Sequence, residues 1–159
     1  MPVSLLHVRE RLLRWPGGAR LFDLLVGRKA PYFASIRPRV TVLRSGHGEA
    51  TMRHRRSVTN HLGTIHAIAL CNLAELIAGL TTEVSLPRTM RWIPRGMTVD
   101  YLKKATGTLH ATALPAGMPQ QAEAAYNLPI DVVIRDAADD PVFRARIAMW
   151  ITPRATRPQ

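Results

Sequence analysis

A glutamate stands where the chain is most apolar. From Thr64 to Leu80 nearly every residue is hydrophobic, including Ile65, Leu70, Leu73, Leu76 and Ile77, and Glu75 falls inside the run. Burying an unpaired carboxylate is costly and pushes its pKa upward, so such a group either has a structural partner or is kept for chemistry as a base or nucleophile. His66 and Asn72 are the other side chains out of place there. Just upstream, Asn60-His61-Leu62-Gly63-Thr64 supplies a glycine and a potential N-cap threonine at the start of the run. Unpaired backbone N–H groups converge at the positive end of a helix, and donors so placed can hold an oxyanion.

These groups need elements to position them. A helix apolar on all sides must be covered on all sides, and a curled antiparallel sheet does that economically. The flanking sequence offers the strands. A hairpin is expected from Ile36, Val40, Val42 and Leu43 through a turn at Gly46 to Gly48 and then Glu49 to His54. After the helix, period-two patterns run through Lys104–Ala113 and Phe143–Ile151, with further strands at Met97–Leu102, after a Pro94-Arg95-Gly96 turn, and at Tyr126–Arg135. The predicted architecture is α+β, a long central helix wrapped by five to six strands. Two short helices, Val3–Arg14 and Ala19–Val26, read as an adornment that opens the chain. The expected division is a helical extension over 1–33, the main domain over 34–153 and a flexible tail over 154–159.

Composition narrows the function classes. The chain has 159 residues, enough for one domain, and carries a net charge of +11. Residues 1–56 hold 12 Lys and Arg against 3 Asp and Glu, so the positive field belongs to the N-terminal third. Such a field attracts nucleic acid, an acidic membrane surface or a phosphorylated ligand, and charge alone does not choose. No recognition helix or paired exposed aromatics favour nucleic acid, and no unbroken apolar run has the length of a membrane span. Arg9, Glu10, Arg11 and Arg14 interrupt any signal-peptide core, which gives a cytoplasmic expectation. The single cysteine, Cys71, excludes an internal disulfide and reads as a small buried hydrophobe. The six histidines make no metal-binding spacing and no phosphate loop or dinucleotide glycine pattern is present, so neither metal nor cofactor is expected.

The segment Asn60-His61-Leu62-Gly63-Thr64-Ile65-His66-Ala67, with Glu75 eight residues after Ala67, resembles the signature of the hotdog-fold thioesterases. It is most similar to the phenylacetate-pathway type of acyl-CoA thioesterase and to the related uncharacterised DUF4442-like group, whose later strands resemble Trp92-Ile93-Pro94-Arg95-Gly96-Met97-Thr98-Val99. The resemblance spans roughly residues 35–153. It implies a hotdog fold and hydrolysis of an acyl-CoA thioester. Glu75 would activate water or attack the carbonyl, the Ala67 N–H would polarise that carbonyl, Asn60 would position water or substrate, and His66 would shape the site. Gly63, Thr64, Ile68 and Asn72 would line it. Where the family commonly has Gly-Gly, this chain has Ala67-Ile68, which keeps the N–H but narrows the approach.

His66 and Glu75 are nine residues apart, which at about 100° per residue puts them on opposite faces of the helix. The resemblance implies the remedy, a homodimer with shared active sites, leaving open whether dimers pair into tetramers. Arg56, from the cluster Arg53, Arg55 and Arg56, and Arg91, between Arg88 and Arg95, are candidates for the phosphates of coenzyme A, with a solvated surface as the alternative. Expected partners are therefore acyl-CoA and a second copy of the chain, without nucleic acid or membrane. A domain that binds acyl-CoA without turning it over is the alternative reading.

Overall fold

The structure, a computed structural model, describes residues 4–154. Three helices open it: α1 (Leu5–Leu13), α2 (Gly18–Lys29) and α3 (Pro31–Ala34). There follow β1 (Arg39–Arg44), β2 (His47–Met52), a 3-10 turn (Arg56–Val58), α4 (Ala67–Ser85), β3 (Met90–Tyr101), β4 (Leu109–Pro115), β5 (Tyr126–Arg135) and β6 (Pro141–Pro153). The six strands form one antiparallel sheet in the order β1-β2-β4-β5-β6-β3. This α+β arrangement of a long helix against a curved sheet is the expected one.

The strands alternate as a half-buried sheet must, with β4 burying Leu109, Ala111 and Ala113 and β5 burying Leu128, Ile130, Val132 and Ile134. Their inner faces close on Leu70, Leu73, Ala74, Ile77 and Ala78 of α4. Gly48 on β2 lets the helix come this close, because a Cβ there would fall onto the Thr81 hydroxyl. The buried hydroxyls of Thr81 and Thr82 donate to the carbonyls of Ile77 (2.7 Å) and Ala78 (2.8 Å), so neither is left unpaired. By length and hydropathy α4 could cross a membrane, but its apolar residues mostly serve this core.

Several boundaries differ from expectation for physical reasons. Helix α4 begins at Ala67 rather than Thr64 and continues to Ser85 beyond Leu80. Its N-cap is His66, whose Nδ1 accepts from the Ile68 N–H at 3.1 Å, so Thr64 is not the cap. Before the expected hairpin, Pro31–Ala34 forms a helical turn with proline at its first position. Helix α2 runs through Gly27 to Lys29, and β2 starts at His47 because the turn is the tight Ser45-Gly46 pair, with Gly46 at φ 75°. Pro94-Arg95-Gly96 is a bulge within a single long β3, not a turn before it, and proline is tolerated because β3 is an edge strand. The strand expected over Lys104–Ala113 begins only at Leu109. Val3 and residues 155–159 lie outside the described residues. Arg154 is tied down, its backbone N–H donating to Thr89 O and its Nε to Met90 O, both at 2.8 Å.

The opening helices do more than adorn the sheet. Phe22 of α2 is fully buried with Val40 and Leu43 of β1, and Leu80 and Val84 of α4 pack against the same cluster. This second core closes one flank of α4.

Candidate functional site

Helix α4 has three flanks. One faces the sheet. A second faces the opening helices, where Asn72 Nδ2 lies 3.4 Å from both Tyr32 O and Ser35 Oγ and where Leu76, Leu80 and Val84 follow at helical spacing. The third carries Cys71, Glu75, Gly79 and Glu83, one per turn, and runs beside edge strand β3. At one end Cys71 Sγ lies 3.3 Å from the Tyr101 hydroxyl. At the other, the Trp92 ring covers Gly79 so closely that a Cβ there would lie 2.8 Å from it, and the indole N–H donates to Glu83 Oε2 at 2.8 Å. Glu75 sits one turn from each contact.

This flank overturns the expectation that α4 is covered on every side. Glu75 and Cys71 are partly exposed, and Ile68, at the start of the helix, is 53% exposed. Cys71 is not a fully buried hydrophobe but a thiol in contact with a phenol. That contact is the first cause, and burial the second, of a Tyr101 pKa pushed up to about 12.

The start of α4 is built from the loop before it. Thr59 and Ile65 form an antiparallel bridge, closing the segment between them. Inside it Asn60 Oδ1 accepts the N–H groups of Leu62 (2.9 Å) and Thr64 (3.2 Å), and Asn60 Nδ2 donates to Thr64 Oγ1 at 2.9 Å. Gly63 takes the left-handed φ of 75° that the turn requires. In this chain, then, Asn60, Gly63 and Thr64 shape the loop.

That loop delivers a particular donor. Of the first four amides of α4, Ile68 N–H donates to the His66 ring, and those of Ala69 (2.9 Å) and Leu70 (3.3 Å) to His66 O. The Ala67 N–H has no acceptor among the described residues. With Nδ1 used as an acceptor, a neutral His66 carries its ring proton on Nε2. Ala67 thus offers an unspent N–H at the positive end of a long helix, suited to a developing negative charge.

The predicted site residues therefore form two groups. Asn60, Gly63, Thr64, His66, Ala67 and Ile68 gather at the start of α4, with exposed Arg56 a few residues upstream. Glu75 lies about 12 Å further along the helix axis, at 1.5 Å rise per residue. A single carbonyl cannot touch both the Ala67 N–H and Glu75 of one chain. Asn72 is turned toward α3, away from the Glu75 flank, and its Oδ1 is buried without a partner. Arg91 lies on β3 and donates from Nε to Thr152 Oγ1 at 3.1 Å, apart from the Ala67 group. Among the described residues no cluster of His, Cys, Asp and Glu could hold a metal ion.

Sequence reasoning missed Tyr101, Trp92 as the cover of Gly79, and Glu83. The repeat Cys71, Glu75, Gly79, Glu83 at intervals of four was the available signal for this flank. It also missed a cavity of about 620 Å³ between α2, α3 and β1, which Leu76 lines and Glu75 does not.

Comparisons with known proteins bear on the family and the fold. The family model described as a domain of unknown function, DUF4442, matches residues 18–151. The solved structure of the structural-genomics protein APC5556 is similar at 45% identity with a TM-score of 0.80, over 94% of this chain and 98% of that one. A thioesterase of Haemophilus influenzae is similar in fold at 15% identity and a TM-score of 0.73, over 89% and 94% of the two chains. A hypothetical thioesterase of Streptococcus pneumoniae, solved with coenzyme A, is similar in fold at 19% identity and a TM-score of 0.66, over 82% and 99%. No curated protein sequence matches the chain.

Proposed function

Because the chain belongs to the DUF4442 family, within the thioesterase-like hotdog superfamily whose fold it shares, we propose that it hydrolyses acyl-CoA thioesters at sites split between two copies of itself. The observation that carries this reading is the unspent Ala67 N–H at the start of α4 together with a partly exposed Glu75 two turns along the same helix.

In a dimer, the Ala67 N–H of one copy faces Glu75 of the other across the bound thioester. Glu75 takes a proton from water as the water oxygen bonds to the carbonyl carbon, or attacks that carbon itself to leave an acyl–Glu75 anhydride that water then cleaves to the free acid. The carbonyl oxygen becomes an oxyanion held by the Ala67 N–H, and collapse breaks the carbon–sulfur bond and releases the coenzyme A thiolate. His66 fixes the amides beside Ala67, and Asn60 holds the loop that sets their direction. The neighbour solved with coenzyme A supports a coenzyme A thioester as substrate. The exposed Arg56 is a candidate for its phosphates.

The large apolar side chains at Ile68, Ile93, Tyr101 and Leu102 are between 44% and 60% exposed, and three of the four belong to edge strand β3 or the residue after it. Such an edge is a surface for a second copy. The reaction is tested by thiol release from short, medium, long and aryl acyl-CoA thioesters. Wild type is expected to hydrolyse one of these classes, and Glu75→Gln to lose at least about a hundredfold in kcat while staying folded. Saturable acyl-CoA binding without turnover in the wild type would replace the enzyme with a ligand-binding domain.

A further inference from the structure

The cavity between α2, α3 and β1 has a construction of its own. Its volume of about 620 Å³ falls within the ~300–1,000 Å³ common for small-molecule sites. Its wall is apolar, built from Leu24 and Val26 of α2, Phe33 of α3, Val40 of β1 and Leu76 of α4. Val40 and Leu76 are buried and Val26 and Phe33 half-buried, whereas Leu24 is 67% exposed. The cavity thus has a greasy interior and a greasy lip.

Its charged lining is one-sided. Arg20, Arg28, Arg37 and Arg39 line it, all exposed, and none makes a salt bridge among the described residues. The one acidic residue, Asp23, is committed: its Oδ1 accepts the Val40 N–H at 3.1 Å, and the charges of Arg39 and Arg9 act on it. Burial raises its pKa, opposed by the Val40 N–H and the charges of Arg39 and Arg9, and Arg20, Arg28 and Arg37 are left with no acidic partner among the described residues. Arg37 adds two further signs. It holds a left-handed φ of 45°, rare for a side chain of its size, in the link that turns α3 into β1. It also stands near a second cation, Arg55, whose pKa is lowered first by burial and then by the charge of Arg37. Among the described residues Arg55 itself is bonded only to the neutral Ser57 Oγ and Ser35 O.

An apolar cavity with unpaired guanidinium groups at its rim matches a molecule that is apolar along its length and anionic at one end. We infer that this cavity binds a single-chain anionic amphiphile, its alkyl chain lying on Leu24, Val26, Phe33, Val40 and Leu76 and its carboxylate or phosphate held by Arg20, Arg28 and Arg37. The inference does not depend on the thioesterase reading, since Glu75 and the Ala67 loop are no part of this cavity.

The experiment is calorimetric titration of the full chain with decanoate and with decyl phosphate, each as free monomer, beside uncharged decanol and phosphatidylglycerol vesicles. One saturable site per chain is expected for the monomeric anions, with the stronger of the two naming the head group, and binding at least tenfold weaker for decanol. Two variants on exposed positions should each weaken binding at least tenfold with the fold intact: Arg20→Ser/Arg28→Ser/Arg37→Ser, which removes the cations, and Leu24→Glu, which puts an anion at the lip. Lysine at the three arginine positions should recover part of the affinity. No binding of either anion, equal binding of decanol, or affinity unchanged in both variants would overturn the assignment. Binding to vesicles alone would replace it with a surface that docks on anionic membranes.

Discussion

The Ala67 N–H is the smallest part of this account and can be removed almost alone. Ala67 is the first residue of α4, and His66 before it already has the extended backbone, φ −66° and ψ 138°, that proline demands of its predecessor. Ala67→Pro should therefore change stability by less than about 1 kcal/mol in urea denaturation while lowering kcat by about a hundredfold, the scale of losing one oxyanion donor. Tyr101 offers a spectroscopic handle one turn further along the same helix, where it meets Cys71. Its phenol should titrate near pH 12, and Cys71→Ala should bring the midpoint back toward the ordinary 10.0. Since the folded-state pKa is the higher one, this contact stabilises the fold below about pH 10 and its contribution fades as pH rises toward 12. Ultraviolet absorbance of the tyrosinate follows both. At this scale Glu75 was legible in the sequence because a carboxylate in an apolar run is conspicuous without any knowledge of the fold. Tyr101 was not, because its partner lies 30 residues away and only the placement of β3 beside α4 brings them together.

Among the elements, the long helix and the strands were legible because burial imposes periodicity on their side chains, as in the alternation of Leu109 to Ala113 and of Phe143 to Ile151. Their ends were less so. The start of α4 depends on which side chain reaches the first amides, and His66 wins that competition over Thr64, whose hydroxyl is spent on Asn60. The single length of β3 was hidden by Pro94, a residue that an edge strand with a bulge can absorb. Most consequential was the role of the opening helices. They read as an adornment, and nothing in their residues pointed to what they pack against, which is the flank of α4 carrying Leu80 and Val84. Phe22 is 1% exposed there, so Phe22→Ala should cost about 3–5 kcal/mol of global stability by urea denaturation, the penalty of emptying an aromatic core position. A loss below about 1 kcal/mol would mean that α2 is only loosely attached.

For the molecule as a whole, the proposed reaction needs two groups, the Ala67 N–H and Glu75, that one chain holds but cannot bring together. The spacing of His66 and Glu75 already pointed this way in the sequence, and the structure adds the edge strand and exposed apolar side chains where a second copy could supply the missing half. What the sequence could not show is the open flank itself, since a run so apolar reads as buried all round until the cover on each side is known. The most direct test is thiol release by Glu75→Gln and Ala67→Pro chains co-expressed in equal amounts, on whichever acyl-CoA the wild type hydrolyses. Each variant alone should be nearly inactive. In a random mixture half of the dimers pair the two variants, and each of these rebuilds one intact site of its two, so activity should return to about one quarter of wild type. Co-expressed chains no more active than either variant alone would contradict a site shared between copies.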